Sequence, residues 1–149
     1  MYSISSRSAC RGRRICTGRL RWVSSTDRKA LDTFNQPRQA AGLPALAVAV
    51  GLSCGSACVG NIGSRQRFSY SAIGDTVNVA ARIEASCRYL AYDIVISDET
   101  REGVGGMATL PAGTVGLKGK SGRVPVHILV GDSAVAESAA FARLRTLHE

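Results

Sequence analysis

The order of hydrophobic and polar positions predicts alternating helices and strands over most of the chain. Residues 28–41 look like the end of a helix: they carry one apolar stripe at helical spacing, and Pro37 limits the helix. The next stretch, ALAVAVGL at residues 45–52, is apolar without interruption, which is typical of a buried strand. A second strand is predicted over residues 56–62, and the surrounding glycines indicate a hairpin-like unit. The first part of the pattern therefore predicts a helix followed by two neighbouring strands.

The alternation continues to the end of the chain. FSYSAI at residues 68–73 predicts a strand that Gly74 ends, and a helix over about residues 75–89 follows, with Asp75 or Thr76 as its cap. The remaining predicted elements are a strand over 93–97, a short helix that Asp98 caps and that runs to about 104, strands over 113–118 and 124–130 around the turn Gly119–Gly122, and an Ala-rich helix over 132–147. The residues singled out on this last helix are the cap Asp132 and the contacts Val135, Phe141, Leu144 and Leu147. This order indicates an α/β (α+β) fold.

The composition is that of one small globular domain. The chain has 149 residues, of which 45% are hydrophobic and 5% aromatic, so the core must be built mainly from aliphatic side chains. A net charge of +8 raises nucleic acid as a partner. Residues 1–28, however, hold seven Arg against one acidic residue, so the excess charge belongs to the N-terminal stretch. Nucleic-acid binding is therefore the weakest interpretation, and no nucleic-acid partner is predicted.

Residues 1–28 show neither helical nor strand periodicity. Their Arg- and Ser-rich composition is open to three interpretations: a basic arm that binds polyanions, a transit peptide, or a disordered tail foreign to the domain that follows. The junction with strongly patterned sequence is abrupt, which favours the last. We predict a basic, disordered, non-homologous tail over these residues.

The five cysteines predict neither a disulfide framework nor a metal site. Their number is odd and no secretory segment is present, so reduced thiols and a cytoplasmic location are expected. Cys54 and Cys58 are four residues apart, but no pair of His or Cys completes a zinc site with them. The uncharged residues 43–60 approach a membrane-spanning length. Polar and glycine residues at 53–56 interrupt them, so no membrane segment is predicted.

The helix predicted over residues 75–89 carries the candidate chemistry. Asn78 and Arg82 are four residues apart, so their side chains stack on one helical face. An amide and a planar guanidinium that point together suit a phosphorylated ligand. On its own, this pair is more typical of a solvated helix face than of a ligand site.

The sequence around this pair closely resembles the C-terminal half of class III nucleotidyl cyclase catalytic domains. The string GDTVN-x-AAR, which contains Asn78 and Arg82, is long and specific. The segments that carry the resemblance are QAAGLP at 39–44, VGNIGS at 59–64, YSAIGDTVNVAARIE at 70–84, and LKGKS at 117–121 with Val124 and Val126. The resemblance covers about residues 29–131, and residues 132–149 follow as a C-terminal helix. It implies part of a ferredoxin-like cyclase palm, with a mixed sheet and flanking helices.

The resemblance also implies a reaction. Class III cyclases convert a nucleoside triphosphate into a 3′,5′-cyclic nucleotide and pyrophosphate, using two divalent metals, Mg²⁺ or Mn²⁺, between the two domains of a homodimer or heterodimer. By this likeness Asn78 orients the ribose, and Arg82 stabilises charge on the α-phosphoryl group. Lys118 contacts the terminal phosphates, unless it is a turn lysine in solvent. Ser71 stands where the family reads the base, and its hydroxyl favours ATP over GTP, unless it merely ends a strand.

The sequence departs from the family in one respect. The family carries its two metal-binding Asp residues in an F-x-D-I-type strand and a K-T-I-G-D-type hairpin, and neither pattern occurs here. Asp27 and Asp32 are the only acidic residues before residue 75, and no metal ligand is assigned. The resemblance therefore implies an adenylate cyclase-type fragment, inactive alone, with an exposed edge at strand 45–50. The alternative is a non-catalytic pseudo-cyclase module that pairs with and regulates a complete cyclase.

Overall fold

The computed structural model describes residues 28–64, 67–90, 92–116 and 122–148. The predicted tail therefore lies almost wholly outside the described residues, and so does Lys118. The described elements, in chain order, are α1 (Arg28–Ala40), β1 (Val50–Leu52), β2 (Cys58–Ser64), β3 (Arg67–Ile73), α2 (Asp75–Leu90), β4 (Ile94–Ser97), α3 (Asp98–Gly103), β5 (Ala108–Gly116), β6 (Arg123–Gly131), α4 (Ser133–Ala136) and α5 (Ala139–His148).

Four of the strands form one mixed sheet in the order β1-β4-β6-β5. β1 runs parallel to β4, with Gly51 opposite Val95, whereas β4, β6 and β5 are antiparallel to their neighbours. β2 and β3 form a separate antiparallel hairpin in which Gly60 lies opposite Ser71. The mixed sheet with flanking helices confirms the predicted fold class.

Both faces of the central strand β4 are covered, and all four of its residues are buried. On one face α2 and α5 pack against the sheet, because Ile83 and Cys87 of α2 contact Val95 and Val126, and Phe141 of α5 joins a neighbouring cluster. On the other face Ile94, Ile96 and Leu129 pack with Val104, which follows α3. Aliphatic side chains therefore supply almost all of the core, as the low aromatic content predicts.

α2 lies directly on β1 at Gly51. A Cβ atom at this position would overlap the backbone nitrogen of Glu84 and the carbonyl oxygen of Ala80, and would lie 2.8 Å from Glu84 Cα. Only glycine allows the helix backbone to come this close to the strand. The position of α2 on the sheet therefore depends on Gly51.

The strand predicted over 45–52 is shorter than expected, and its predicted pairing is wrong. Only Val50–Leu52 is a strand, and it pairs with β4 rather than forming a hairpin with the strand that follows. Residues 45–49 are exposed, and the side-chain amide of Asn35 accepts from Leu46 N–H at 2.8 Å and donates to Leu46 C=O at 2.9 Å. Asn35 of α1 thus binds the N–H and C=O groups of Leu46, which a neighbouring strand would otherwise bind.

Several predicted boundaries are also corrected. Pro37 lies inside α1 instead of ending it. Ser97, not Asp98, caps α3, because its hydroxyl accepts the N–H of Thr100. β5 begins at Ala108, five residues before the predicted start at residue 113.

The helix predicted over 132–147 is two helices, α4 and α5. Asp132 caps α4 as predicted, since its carboxylate accepts Val135 N–H. Ser138 then interrupts the helix, because its hydroxyl accepts Phe141 N–H at 3.1 Å and starts α5. Among the predicted contacts Phe141 is buried, whereas Val135, Leu144 and Leu147 are exposed. No helix in the described part of the chain is long and apolar enough to cross a membrane.

A charged cluster links α3 to β6. Asp98 Oδ1 accepts hydrogen bonds from Arg101 Nε and His127 Nε2, each at 2.8 Å. The hydrogen bond from Arg101, followed by that from His127, holds the pKa of Asp98 below its ordinary value. The ionised carboxylate is therefore the form that the fold favours.

Stability should accordingly depend on pH through Asp98. Because its pKa is lowered by folding, its contribution is complete above the ordinary carboxyl range and is lost as pH falls through the folded-state value. Asp98→Asn is expected to lower the melting temperature at neutral pH and to converge with the parent chain in acid. Thermal melts from pH 7 to pH 3 test this, with Glu102→Gln in the same helix as the control. A parent-to-variant difference that does not shrink in acid would contradict the assignment.

Candidate functional site

The candidate site is built on the first two turns of α2. Gly74 ends β3, and its carbonyl oxygen accepts the N–H groups of Val77 and Asn78 as the helix begins. Asn78 is exposed, and Arg82 lies one turn later on the same face. The helix is held in place by Ala80, Ile83 and Cys87 on its buried side. The predicted pair therefore lies on a rigid, packed helix rather than on a loop.

The Arg82 guanidinium is fixed against the end of β5. Its Nη1 donates to the carbonyl oxygen of Gly116 at 3.1 Å, across 34 residues of sequence. Gly116 is two residues before Lys118 in the sequence. The contact thus joins the helix of the predicted pair to the strand that leads into the lysine-containing segment.

The other two predicted site residues are described less fully. Ser71 lies in β3, four residues before the start of α2, and its register partner in the hairpin is Gly60. Its side chain lies outside what the structure describes, as does Lys118 altogether. The roles predicted for Asn78, Arg82, Ser71 and Lys118 therefore stay predictions at this point.

The resemblance implies divalent metals, and the described residues do not fit a two-metal site. Within residues 28–64, 67–90, 92–116 and 122–148, no three His, Cys, Asp or Glu side chains come together as metal ligands. Asp75, the acidic residue closest in sequence to Asn78, is exposed at the start of α2. We therefore derive no catalytic step through a metal bound to these residues.

The buried side of α2 carries a cysteine, Cys87. Cys87 is buried, and its thiol donates towards Ile83 O at 3.4 Å and lies 3.7 Å from Val50 O. Burial, with the nearby Glu84 carboxylate, raises the pKa of the Cys87 thiol. Burial thus favours the protonated form of this thiol.

The sequence patterns did not indicate two of the contacts that hold this region. Gly116 acts through its backbone carbonyl, for which no side-chain pattern exists. Thr100 accepts the N–H of Cys54 at 2.9 Å, across 46 residues. Ser97 is a residue type that commonly caps helices, but nothing in the sequence pattern indicates that Thr100 has a distant partner.

Adenylate cyclases are among the proteins with similar sequences. The family model of the adenylate and guanylate cyclase catalytic domain matches residues 14–131. Adenylate cyclase 1 of Rhizobium meliloti is 34% identical over 102 residues, which are 68% of this chain and 15% of that protein. The adenylate cyclase of Anabaena cylindrica is 36% identical over 74 residues, which are 47% of this chain and 15% of that protein. The family match begins inside the stretch predicted as a tail, and the domain boundary at residue 28 stays a prediction.

Solved structures with a similar fold are also cyclases. The adenylyl cyclase CyaB from P. aeruginosa aligns with a TM-score of 0.68 and 25% identity, over 81% of this chain and 61% of that one. The guanylyl cyclase Cya2 aligns with a TM-score of 0.64 and 29% identity, over 79% of this chain and 59% of that one. The chain therefore spans less than two thirds of these solved chains and 15% of the two curated relatives above.

Proposed function

This chain belongs to the family of adenylate and guanylate cyclase catalytic domains, and from that premise we propose that it supplies part of an adenylate cyclase active site. In this proposal it acts in the cytoplasm and pairs with a second cyclase domain that holds the metal ligands. The pair converts ATP into 3′,5′-cyclic AMP and pyrophosphate. The observation that carries the proposal is the shared face of Asn78 and Arg82, with the Arg82 guanidinium held at Gly116.

The reaction forms one P–O bond and breaks another, and it releases a proton to solvent. The ribose 3′-oxygen attacks the α-phosphorus as the bond from that phosphorus to the bridging oxygen of the β-phosphate breaks, so pyrophosphate leaves and the 3′-hydroxyl proton passes to water. Negative charge shifts onto the α-phosphoryl oxygens and the leaving group. A guanidinium placed before the reaction begins stabilises that charge without reorganising, which is the role we assign to Arg82. Asn78 holds the ribose by directional hydrogen bonds, so that the 3′-oxygen faces the phosphorus.

Two further residues complete the substrate contacts in this proposal. Ser71 reads the adenine edge with a hydroxyl that can donate or accept a hydrogen bond. Lys118 contacts the terminal phosphates as a point charge. The described residues contain no cluster of side chains that could bind Mg²⁺ or Mn²⁺, and in this proposal the second cyclase domain supplies these carboxylates.

The proposal predicts that the chain alone is inactive. Purified chain with ATP and Mg²⁺ or Mn²⁺ is expected to form no cyclic AMP above background, because only Asp27 and Asp32 precede residue 75 and neither lies in a metal-binding pattern of the family. The measurement is cyclic AMP accumulation, with a complete cyclase assayed in parallel. Clear turnover by the isolated chain would show that it holds its own metal ligands.

A further inference from the structure

Two buried hydroxyl groups connect the cap of α3 to a distant part of the chain. The Ser97 and Thr100 side chains are almost fully buried, and their oxygens are 3.0 Å apart. Ser97 Oγ accepts Thr100 N–H at 3.3 Å, which is sufficient to cap the helix. Thr100 Oγ1 makes a second contact that capping does not need, because it accepts the N–H of Cys54 at 2.9 Å. The cap of α3 therefore also holds the backbone that follows β1.

The segment held by Thr100 touches the start of α2. A Cβ atom at Gly55 would overlap the Thr76 hydroxyl oxygen, and a Cβ atom at Gly74 would lie 2.9 Å from Ser56 O. Residues 53–57 contain no helix or strand of their own. Their position beside the first turn of α2 therefore depends on individual contacts, and the hydrogen bond from Cys54 to Thr100 is one of them.

We propose that Thr100 is a positioning residue for the candidate site. Its hydroxyl holds Cys54 and the next three residues against the first turn of α2, and so aligns Asn78, whose N–H bonds to Gly74 O in that turn. The inference rests on the proposed function for its catalytic consequence, but the mechanical link stands on the contacts alone. Thr100 itself is buried, so in this proposal it acts through other residues.

Thr100→Val tests the mechanical link, because valine keeps the branched shape and removes the hydroxyl. Hydrogen exchange of the Cys54 amide should become about tenfold faster or more, since the partly buried donor loses its acceptor. The amides of residues 55–57, Val77 and Asn78 should also exchange faster, whereas the exchange rates of the β6 amides should not change. Thr100→Ser should behave as the parent chain, and Thr146→Val, which removes an exposed hydroxyl bonded within α5, is the matched control.

Two results would overturn the link. One is faster exchange confined to α3, which would mean that Thr100 only supports its own helix. The other is equal acceleration throughout the domain, which would mean that the variant is simply less stable. If Thr100→Val fails to fold, amide hydrogen exchange of the parent chain at increasing urea concentrations tests the link instead. The Cys54, Val77 and Asn78 amides should open together and before those of β6, and independent opening would contradict the proposal.

The catalytic consequence is measured after pairing with a cyclase domain that lacks its own Asn and Arg. We expect Thr100→Val to lower kcat about tenfold with little change in KM, because misalignment of Asn78 affects the reacting geometry more than the affinity. Thr100→Ser should restore kcat. Unchanged kcat in a variant whose Cys54 amide exchanges fast would refute the catalytic consequence. Absence of activity with the parent chain would instead refute the proposed function, and the exchange data would still decide the link.

Discussion

Replacing Arg82 by alanine is expected to reduce cyclic AMP formation in a reconstituted pair by about 10²–10³-fold, the usual cost of removing one positioned charge-stabilising donor. The effect should be large because the guanidinium is already fixed at Gly116 O, 3.1 Å away, and does not have to be ordered during the reaction. The measurement mixes this chain with a homologous cyclase domain whose own Asn and Arg are mutated, so that any activity depends on Asn78 and Arg82 of this chain.

The same helix offers a matched control for this experiment. Arg88 is exposed in the last turn of α2, and Arg88→Ala removes the same charge from the same element. This control variant should restore cyclic AMP formation by the mutated partner as well as the parent chain does. Equal rescue by Arg82→Ala would show that the role assigned to Arg82 is wrong. If the chain instead stimulates an intact cyclase whether or not Arg82 is present, the regulatory module becomes the better interpretation.

Gly51→Ala is expected to have the largest effect on stability. The added methyl group meets the backbone of Glu84 and Ala80, which cannot turn away as a side chain can, so the whole of α2 has to move from the sheet. Overpacking a well-packed core costs about 1–3 kcal/mol and occasionally more, and contact with helix backbone on this scale belongs at the upper end. Because α2 carries Asn78 and Arg82, cyclic AMP formation in the reconstituted pair should decrease as well.

The experiment is a urea denaturation that yields the free energy of unfolding. Gly105→Ala is the control, because no atom lies within 4 Å of the added Cβ and the substitution should change stability little. An unchanged midpoint for Gly51→Ala would mean that α2 does not rest on β1 as described. A change of similar size in both variants would point to a general effect of replacing glycine.

The sequence was sufficient to predict an element wherever the interactions that determine it are local. The helix predicted over 75–89 is Asp75–Leu90, and the strand predicted over 68–73 is Arg67–Ile73, because helical periodicity, Gly74 and the strand alternation all lie within a few residues. The i, i+4 pairing of Asn78 and Arg82 follows from the same local geometry. The string around that pair was also enough to indicate the family, which the family match and the cyclase relatives confirm.

Tertiary structure decided what depends on distant residues. An apolar run such as 45–52 is compatible with a strand at many positions in a sheet. Its shortening to Val50–Leu52 depended on Asn35, which binds the backbone of Leu46, and its parallel pairing depended on the position of β4. The bonds from Arg82 to Gly116 and from Cys54 to Thr100 span 34 and 46 residues. Each joins a backbone group to a side chain, and a backbone group leaves no pattern in a sequence. The amino-acid order thus determined most of the elements and the side chains they carry, whereas long-range packing determined which backbone atoms hold α2, the helix of Asn78 and Arg82, in place.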